Sequence, residues 1–281
     1  MKANYRLLLF LSLCALCTSG CIYRYPTEKN RRDSYAPLQT TLGSTTMEAH
    51  MRARSAFIIS GSDLKSETAN DGSLQLNTAS GLRPSFAAAT AIDTRGYYLT
   101  AAHATHEKDI LLIPLDGSLA TPVPARVVWR GSASLHQDLA LLYVPVKVTN
   151  TFQWGDSEVR IGDPVYLIGP SSLTGDSASP LLFAGLVCGR SEPTADSGTP
   201  VVITHDAPGA PGDSGGPLVS ANGRLIGITT GARRFLSIAS STGSIKFRLP
   251  FLRPLATAQR PRAADIQKII EADQAKMVIG R

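Results

Sequence analysis

Apolar residues in this chain come in short runs that turn residues interrupt at close intervals. From Ala56 onward the runs are Phe57–Ile59, Phe86–Ile92, Tyr97–Ala101, Ile110–Leu115, Val127–Trp129, Leu139–Val144, Val165–Ile168, Leu181–Val187, Val201–Ile203, Leu218–Ser220, Leu225–Thr229 and Ile245–Leu249, with Gly, Pro, Asn and Asp between them. Runs of this length predict strands, and so many in succession predict an all-β fold, an antiparallel barrel or sandwich. One stretch keeps a different period. Ile266, Ile269, Ile270 and Met277 recur at helical spacing among charged residues, which predicts a C-terminal helix over about 262–279. Two polar inserts, Ser60–Ser80 and Ser191–Thr199, carry no such run and read as surface loops.

The amino end follows another pattern. Lys2 and Arg6 precede an apolar run from Leu7 to Cys17, within the roughly 7–15 residues of a signal-peptide core and short of the roughly 20 that span a bilayer. Residues 1–20 are therefore expected to be removed on export. Thr18-Ser19-Gly20-Cys21 resembles a bacterial lipobox, with Thr18 where leucine is usual, so Cys21 is the expected lipidation site. Acyl chains there would hold the protein to a membrane surface without a spanning helix. Ile22 after that cysteine favours the outer membrane, facing the periplasm or the cell surface. The alternative is an ordinary secretory signal cut near Gly20, giving a secreted or periplasmic soluble protein. Residues 21–52 are polar and mixed in charge, contain Pro26 and Pro37, and read as a flexible tether with a span on the order of 30 Å.

The chemistry starts at Pro211-Gly212-Asp213-Ser214-Gly215-Gly216-Pro217. Glycines around a serine permit a tight turn and leave room for a substrate carbonyl, so the amides of Gly212 and Ser214 form the expected oxyanion hole. A serine hydroxyl needs a base to take its proton and a group to orient that base. Tyr98-Leu99-Thr100-Ala101-Ala102-His103 ends a strand-like run in a histidine among small residues, which makes His103 the candidate base. Asp138 heads the apolar run Leu139–Val144, where a carboxylate can accept from an imidazole, and is the candidate orienting residue. His50, His106, His136 and His205 read as surface or hydrogen-bonded core histidines, and Asp93, Asp109 and Asp116 as turn formers.

T-A-A-H, D-L-A-L-L and G-D-S-G-G-P, in the order His, Asp, Ser, resemble the trypsin-like (chymotrypsin-fold) serine peptidases, especially short bacterial forms similar to HtrA and glutamyl endopeptidases. The resemblance covers roughly residues 53–250. It implies two six-stranded antiparallel barrels, about 53–150 and 151–255, within a peptidase domain over 53–281. The divide is expected near 145–160, with His103 and Asp138 on the first barrel, Ser214 on the second and the terminal helix packed on the second. It also implies a primary pocket with Pro208 at its base and Thr229, Thr230 and Gly231 along its wall, a neutral pocket suited to small or medium apolar residues. Asp213 stands where animal enzymes pair an aspartate with a new amino terminus, so it needs another donor or cation. No PDZ-like domain is expected after the helix, a departure from full-length HtrA proteins.

Charge and cysteines then narrow the alternatives. The formal charge is +6, and loss of Lys2 and Arg6 leaves +4. The cations are scattered and not interleaved with aromatics, which argues against a nucleic-acid binder. Cys14 and Cys17 lie in the leader, Cys21 takes lipid, and Cys188 alone remains in the body, so no internal disulfide is expected. No Cys/His cluster implies zinc, and no cofactor is expected. The expected activity is a membrane-anchored serine endopeptidase acting on protein or peptide. The alternatives are a catalytically silent scaffold that binds envelope proteins and an esterase or amidase; oligomeric state is not legible.

Overall fold

The computed structural model describes residues 44–68, 74–78, 84–117, 121–155, 159–170, 180–191, 198–209, 211–233, 236–240, 243–247 and 255–279. Cys21 and the leader lie outside the described residues. The chain is mostly β, in two units. The first is a seven-stranded sheet in the order β7 (Val123–Pro124), β6 (Asp109–Pro114), β1 (Ser55–Gly61), β4 (Ser85–Asp93), β5 (Tyr97–Thr100), β9 (Ala140–Tyr143) and β8 (Arg126–Arg130). The second is a closed barrel of β10 (Pro164–Pro170), β11 (Pro180–Arg190), β12 (Val201–His205), β17 (Leu255–Arg260), β14 (Leu225–Arg233) and β13 (Pro217–Ser220). Every pairing in both units is antiparallel.

The expected two-barrel architecture is present, as one closed six-stranded barrel and one half-barrel formed by the seven-stranded sheet. The first sheet ends at β7, two residues long and half proline. Proline has no N–H to extend a ladder, so it belongs at a sheet edge. The expected loop over Ser60–Ser80 contains a hairpin instead, β2 (Leu64–Thr68) with β3 (Leu74–Thr78), and a second hairpin pairs β15 (Leu236–Ser240) with β16 (Gly243–Phe247). Of the other insert, 192–197 lie outside the described residues.

Three apolar clusters organise the packing. One lies within the first sheet, around Ala56, Ile58, Ala89, Tyr98, Leu112 and Leu142. Another fills the barrel, around Val165, Leu167, Val187, Ile203, Leu218 and Ile226. The third joins Tyr97, Leu99 and Leu141 of the first unit to Tyr166, Ile168, Val219 and Ile228 of the second. Strand β4 shows the consequence in its sequence. Ala87 to Ala91 are all buried, because one face packs within its own sheet while Ala88 and Thr90 hydrogen-bond the second unit, and small side chains let both approaches be close.

Two helices complete the joining cluster, and both correct the sequence reading. The tether was expected to reach residue 52, yet Ser44–Arg52 is a helix, α1, with Met47 and Met51 fully buried in the shared cluster. Burial of such side chains contributes about 1.5–3 kcal/mol each. Helix α2 (Ala263–Ile279) places Ile266 and Ile270 in the same cluster. Its Asp273 accepts from Tyr97 Oη at 2.8 Å and from both terminal nitrogens of Arg126 at 3.0 and 2.8 Å. The helix therefore docks on the first sheet as well as the shared core, not on the second barrel alone. Partly buried charge-assisted bonds help to set that position.

Candidate active site

Strand β5 delivers His103. It ends at Thr100, and a 3₁₀ turn over Ala102–Thr105 carries the imidazole out of the sheet. Thr105 Oγ1 donates to the Ala102 carbonyl at 2.8 Å, and Arg130 of β8 donates to both Thr105 Oγ1, at 2.9 Å, and the Thr105 carbonyl. The turn is thereby tied to the far edge of its own sheet.

Asp138 sits just ahead of β9 and uses both carboxylate oxygens on His103. The backbone N–H of His103 donates to Oδ1 at 2.9 Å and Nδ1–H donates to Oδ2 at 2.7 Å. A carboxylate accepts only, so the proton is on Nδ1 and the unprotonated Nε2 remains an acceptor. The hydrogen bond to Asp138 lifts the His103 ring above its ordinary value; partial burial opposes the shift and the charge of Asp138 adds to it. The pair can take a proton at Nε2 and hold the resulting cation.

Ser214 lies in the turn that opens β13. Its carbonyl accepts from Ala88 N at 2.8 Å, Gly215 N donates to the Thr229 carbonyl at 2.6 Å, and Thr90 Oγ1 donates to the Gly215 carbonyl at 2.9 Å. The serine turn is thus pinned between β4 of one unit and β14 of the other. Gly215 has φ +88°, and a Cβ there would lie 2.0 Å from the Ala88 carbonyl oxygen and 2.2 Å from Thr100 Oγ1. Only glycine permits this docking. Thr100 Oγ1 itself donates to the Ala88 carbonyl at 2.7 Å, so the serine turn touches the strand that three residues later presents His103.

Among the described residues no hydrogen bond joins Ser214 Oγ to the His103 ring, in keeping with nucleophile–base contacts that tighten when substrate is bound. Gly212 has φ +99°, and among the described residues neither its amide nor that of Ser214 donates to a protein acceptor. Asp213 is buried. Of the expected pocket residues, Pro208 follows β12 and is half-buried, while Thr229, Thr230 and Gly231 lie on β14, the two threonines buried. Thr229 reaches the serine turn through both its backbone groups, donating to the Gly216 carbonyl at 2.9 Å as well as accepting from Gly215.

The histidine readings divide. His50 donates from Nε2 to the Gly223 carbonyl at 2.9 Å and stacks edge-on against Phe152, a hydrogen-bonded histidine as expected. His205 departs from that reading: it is fully buried, neither ring nitrogen has a protein hydrogen bond among the described residues, and burial pushes its pKa down to about 4, so it is neutral.

A model of the trypsin-like peptidase domain matches residues 87–228, from β4 to β14, a span that holds His103, Asp138 and Ser214. The chain belongs to that family. Among curated proteins, this trypsin-like peptidase domain protein is 31% identical to the serine protease Do-like HtrA of Lactobacillus helveticus over 160 residues, 56% of this chain and 37% of the relative. It is 32% identical to a probable periplasmic serine endoprotease, DegP-like, of Bartonella henselae over 197 residues, 68% of this chain and 34% of the relative. The chain spans about a third of the length of these relatives. Among solved structures, the HtrA-type protease AlgW with decapeptide aligns at TM-score 0.54 and 22% identity, covering 81% of this chain and 67% of that one. The Rv3671c protease from M. tuberculosis, in its active form, aligns at TM-score 0.56 and 16% identity, covering 84% and 87%. These likenesses establish the two-unit chymotrypsin-like fold.

Sequence reasoning missed the residues that hold the site together. Arg130 and Gln259 are each one polar residue in an unremarkable context, Thr90 reads as an ordinary strand residue, and Thr100 stands in the T-A-A-H motif without a role of its own. Their roles arise from contacts between residues 12 to 125 positions apart, which no local pattern marks.

Proposed function

We propose that the protein is a serine endopeptidase that hydrolyses peptide bonds through an acyl-enzyme on Ser214. The observation that carries this reading is the His103–Asp138 couple, in which Oδ2 takes the Nδ1–H and so favours the tautomer with a bare Nε2, while Oδ1 takes the backbone N–H of His103. Ser214 Oγ attacks the substrate carbonyl carbon as its proton passes to Nε2. The oxygen that becomes negative is received by the amides of Gly212 and Ser214. Collapse of the tetrahedral species breaks the C–N bond, and His103 gives its proton to the departing amine. Water then attacks the ester with His103 again as base, releasing the acid and restoring the serine.

Pro208, Thr229, Thr230 and Gly231 form a primary pocket without a charged side chain, so small or medium apolar residues are the proposed preference. The protein is exported, and Cys21 carries the lipid that anchors it to the cell envelope. In support, the Bartonella relative is named periplasmic. Fluorophosphonate labelling of the full chain beside Ser214→Ala tests the nucleophile. An adduct mapped to Ser214 and absent from the variant is expected; no adduct on folded protein would favour the silent scaffold. Peptide cleavage by the unlabelled parent, lost once the fluorophosphonate has reacted, separates an endopeptidase from an esterase or amidase.

A further inference from the structure

We propose that Gln259 is a positioning residue for the base couple, acting through Asp138 from the other structural unit; this rests on the reading of His103 and Asp138 as that couple. Gln259 lies on β17 of the barrel and is buried at 8% exposure. Its Oε1 accepts from the backbone N–H of Asp138 at 2.8 Å, and its Nε2 donates to the His136 carbonyl at 2.8 Å. One side chain thus grips the chain on both sides of Gln137, with both halves of its amide satisfied.

The grip matters because the segment it holds is strained and the clamp joins it to the barrel. His136 has φ +53°, a left-handed conformation that a non-glycine residue adopts only at a cost in strain. Other ties are the backbone bonds from His136 N to the Ala133 carbonyl, from Gln137 N to the Ser132 carbonyl and from Gly131 N to the Leu139 carbonyl, and two exposed side-chain bonds of Gln137, its Nε2 to the Gly198 carbonyl at 2.6 Å and the Ser132 amide to its Oε1 at 3.0 Å. Without the clamp, Asp138 is held, among the described residues, only from within the first sheet, by those backbone bonds and by His103, and by the exposed contact of Gln137 with Gly198.

The placement of Gln259 adds a second consequence. In the β14–β17 ladder, Gln259 pairs with Ile228 and Ala258 pairs with Thr229, and Thr229 accepts from Gly215 in the serine turn. Adjacent positions of one strand pair therefore hold the orienting carboxylate and the nucleophile. The barrel sets both, although His103 and Asp138 belong to the first sheet. A change that loosens Gln259 lets Asp138 drift from His103 while leaving the pocket wall intact, so it acts on turnover more than on substrate binding.

Gln259→Met keeps the length and removes both hydrogen bonds. Expected results are a fall in kcat of about tenfold to a hundredfold, KM nearly unchanged, and displacement of the acid limb of the pH profile toward lower pH. The proton resonance of His103 Nδ1–H should broaden or move upfield. Gln259→Glu keeps an acceptor for Asp138 N–H and adds a negative charge, so its acid limb should move toward higher pH. A purely structural role lowers the melting point without these opposite displacements. A folded Met variant with parental kcat, acid limb and Nδ1–H resonance would overturn the proposal. If the Met variant does not fold, the Glu variant decides by the same readouts: displacement supports the clamp, and parental behaviour refutes it. The nuclear magnetic resonance needs no turnover. A parent that fluorophosphonate leaves unlabelled would thus refute the peptidase reading, while the effect of Gln259 on the His103–Asp138 pair is still read directly.

Discussion

At the scale of single residues, the His103–Asp138 bond governs how the proposed activity depends on pH. A general base works only when unprotonated, and the Asp138 hydrogen bond raises His103 above its ordinary value of 6.5. Activity is therefore expected to be lost as pH falls through a value above 6.5. Asp138→Asn removes the charge that favours the cation and permits the wrong tautomer, so the acid limb should shift down and kcat should fall on the order of 10⁴-fold. Profiles of kcat/KM against pH for the two proteins check this; an unmoved limb would assign it to another group. The candidate residues His103, Asp138 and Ser214 stand out in sequence because each is itself the reactive type of group, flanked by small residues or a strand. Gln259 was not, because an amide has no chemical signature until the fold places it between Asp138 N–H and the His136 carbonyl. His205 misled for a related reason: sequence shows a titratable ring but not the burial that keeps it neutral.

At the scale of elements, side-chain size decided which segments showed themselves. Strands built on Val, Leu and Ile were visible as apolar runs. Strand β17 was not, since its buried positions include Ala256, Ala258 and Gln259, and alanines beside threonine and glutamine make no apolar run. Helix α1 was concealed in the same way, by nine residues of mean polar character in which Met47 and Met51 alone carry a strong apolar signal, one turn apart. Those two side chains nonetheless enter the cluster between the units. Met47→Ala is expected to destabilise by about 2–5 kcal/mol, the range for emptying a packed apolar site. Urea unfolding of the variant against the parent measures it, with the midpoint lowered and the slope unchanged. A change within about 0.5 kcal/mol would mean that α1 lies on the domain without being part of its core. The same burial implies that a chain begun at residue 44 resists denaturant better than one begun at 53, where the tether was expected to end.

At the scale of the whole molecule, the shared cluster makes the two units one cooperative structure. Met47 and Met51 of α1, Ile266 and Ile270 of α2, and strands from both units meet in it, while Trp129 and Trp154 pack against it. Indole fluorescence and far-UV circular dichroism should therefore report one coincident unfolding transition. Its acid dependence should pass through Asp273. Burial alone would push that carboxyl up, but hydrogen bonds from Arg126 and Tyr97 outweigh it and hold the pKa below the ordinary value. A carboxyl depressed by folding contributes stability above its unfolded value of about 3.9, and the contribution is lost as pH falls through the lower folded value. Asp273→Asn should thus cost about 1–2 kcal/mol near neutrality, a charge-assisted bond discounted for the half-exposed Arg126. As pH falls from about 4 through the lower folded value the variant and parent should converge, because protonation of Asp273 then removes in the parent what substitution removed in the variant. Thermal melts of both proteins across that range make the comparison. A gap that persists at low pH would place the cost in lost packing, whereas convergence would identify the Asp273 charge as the tie between α2, β5 and β8.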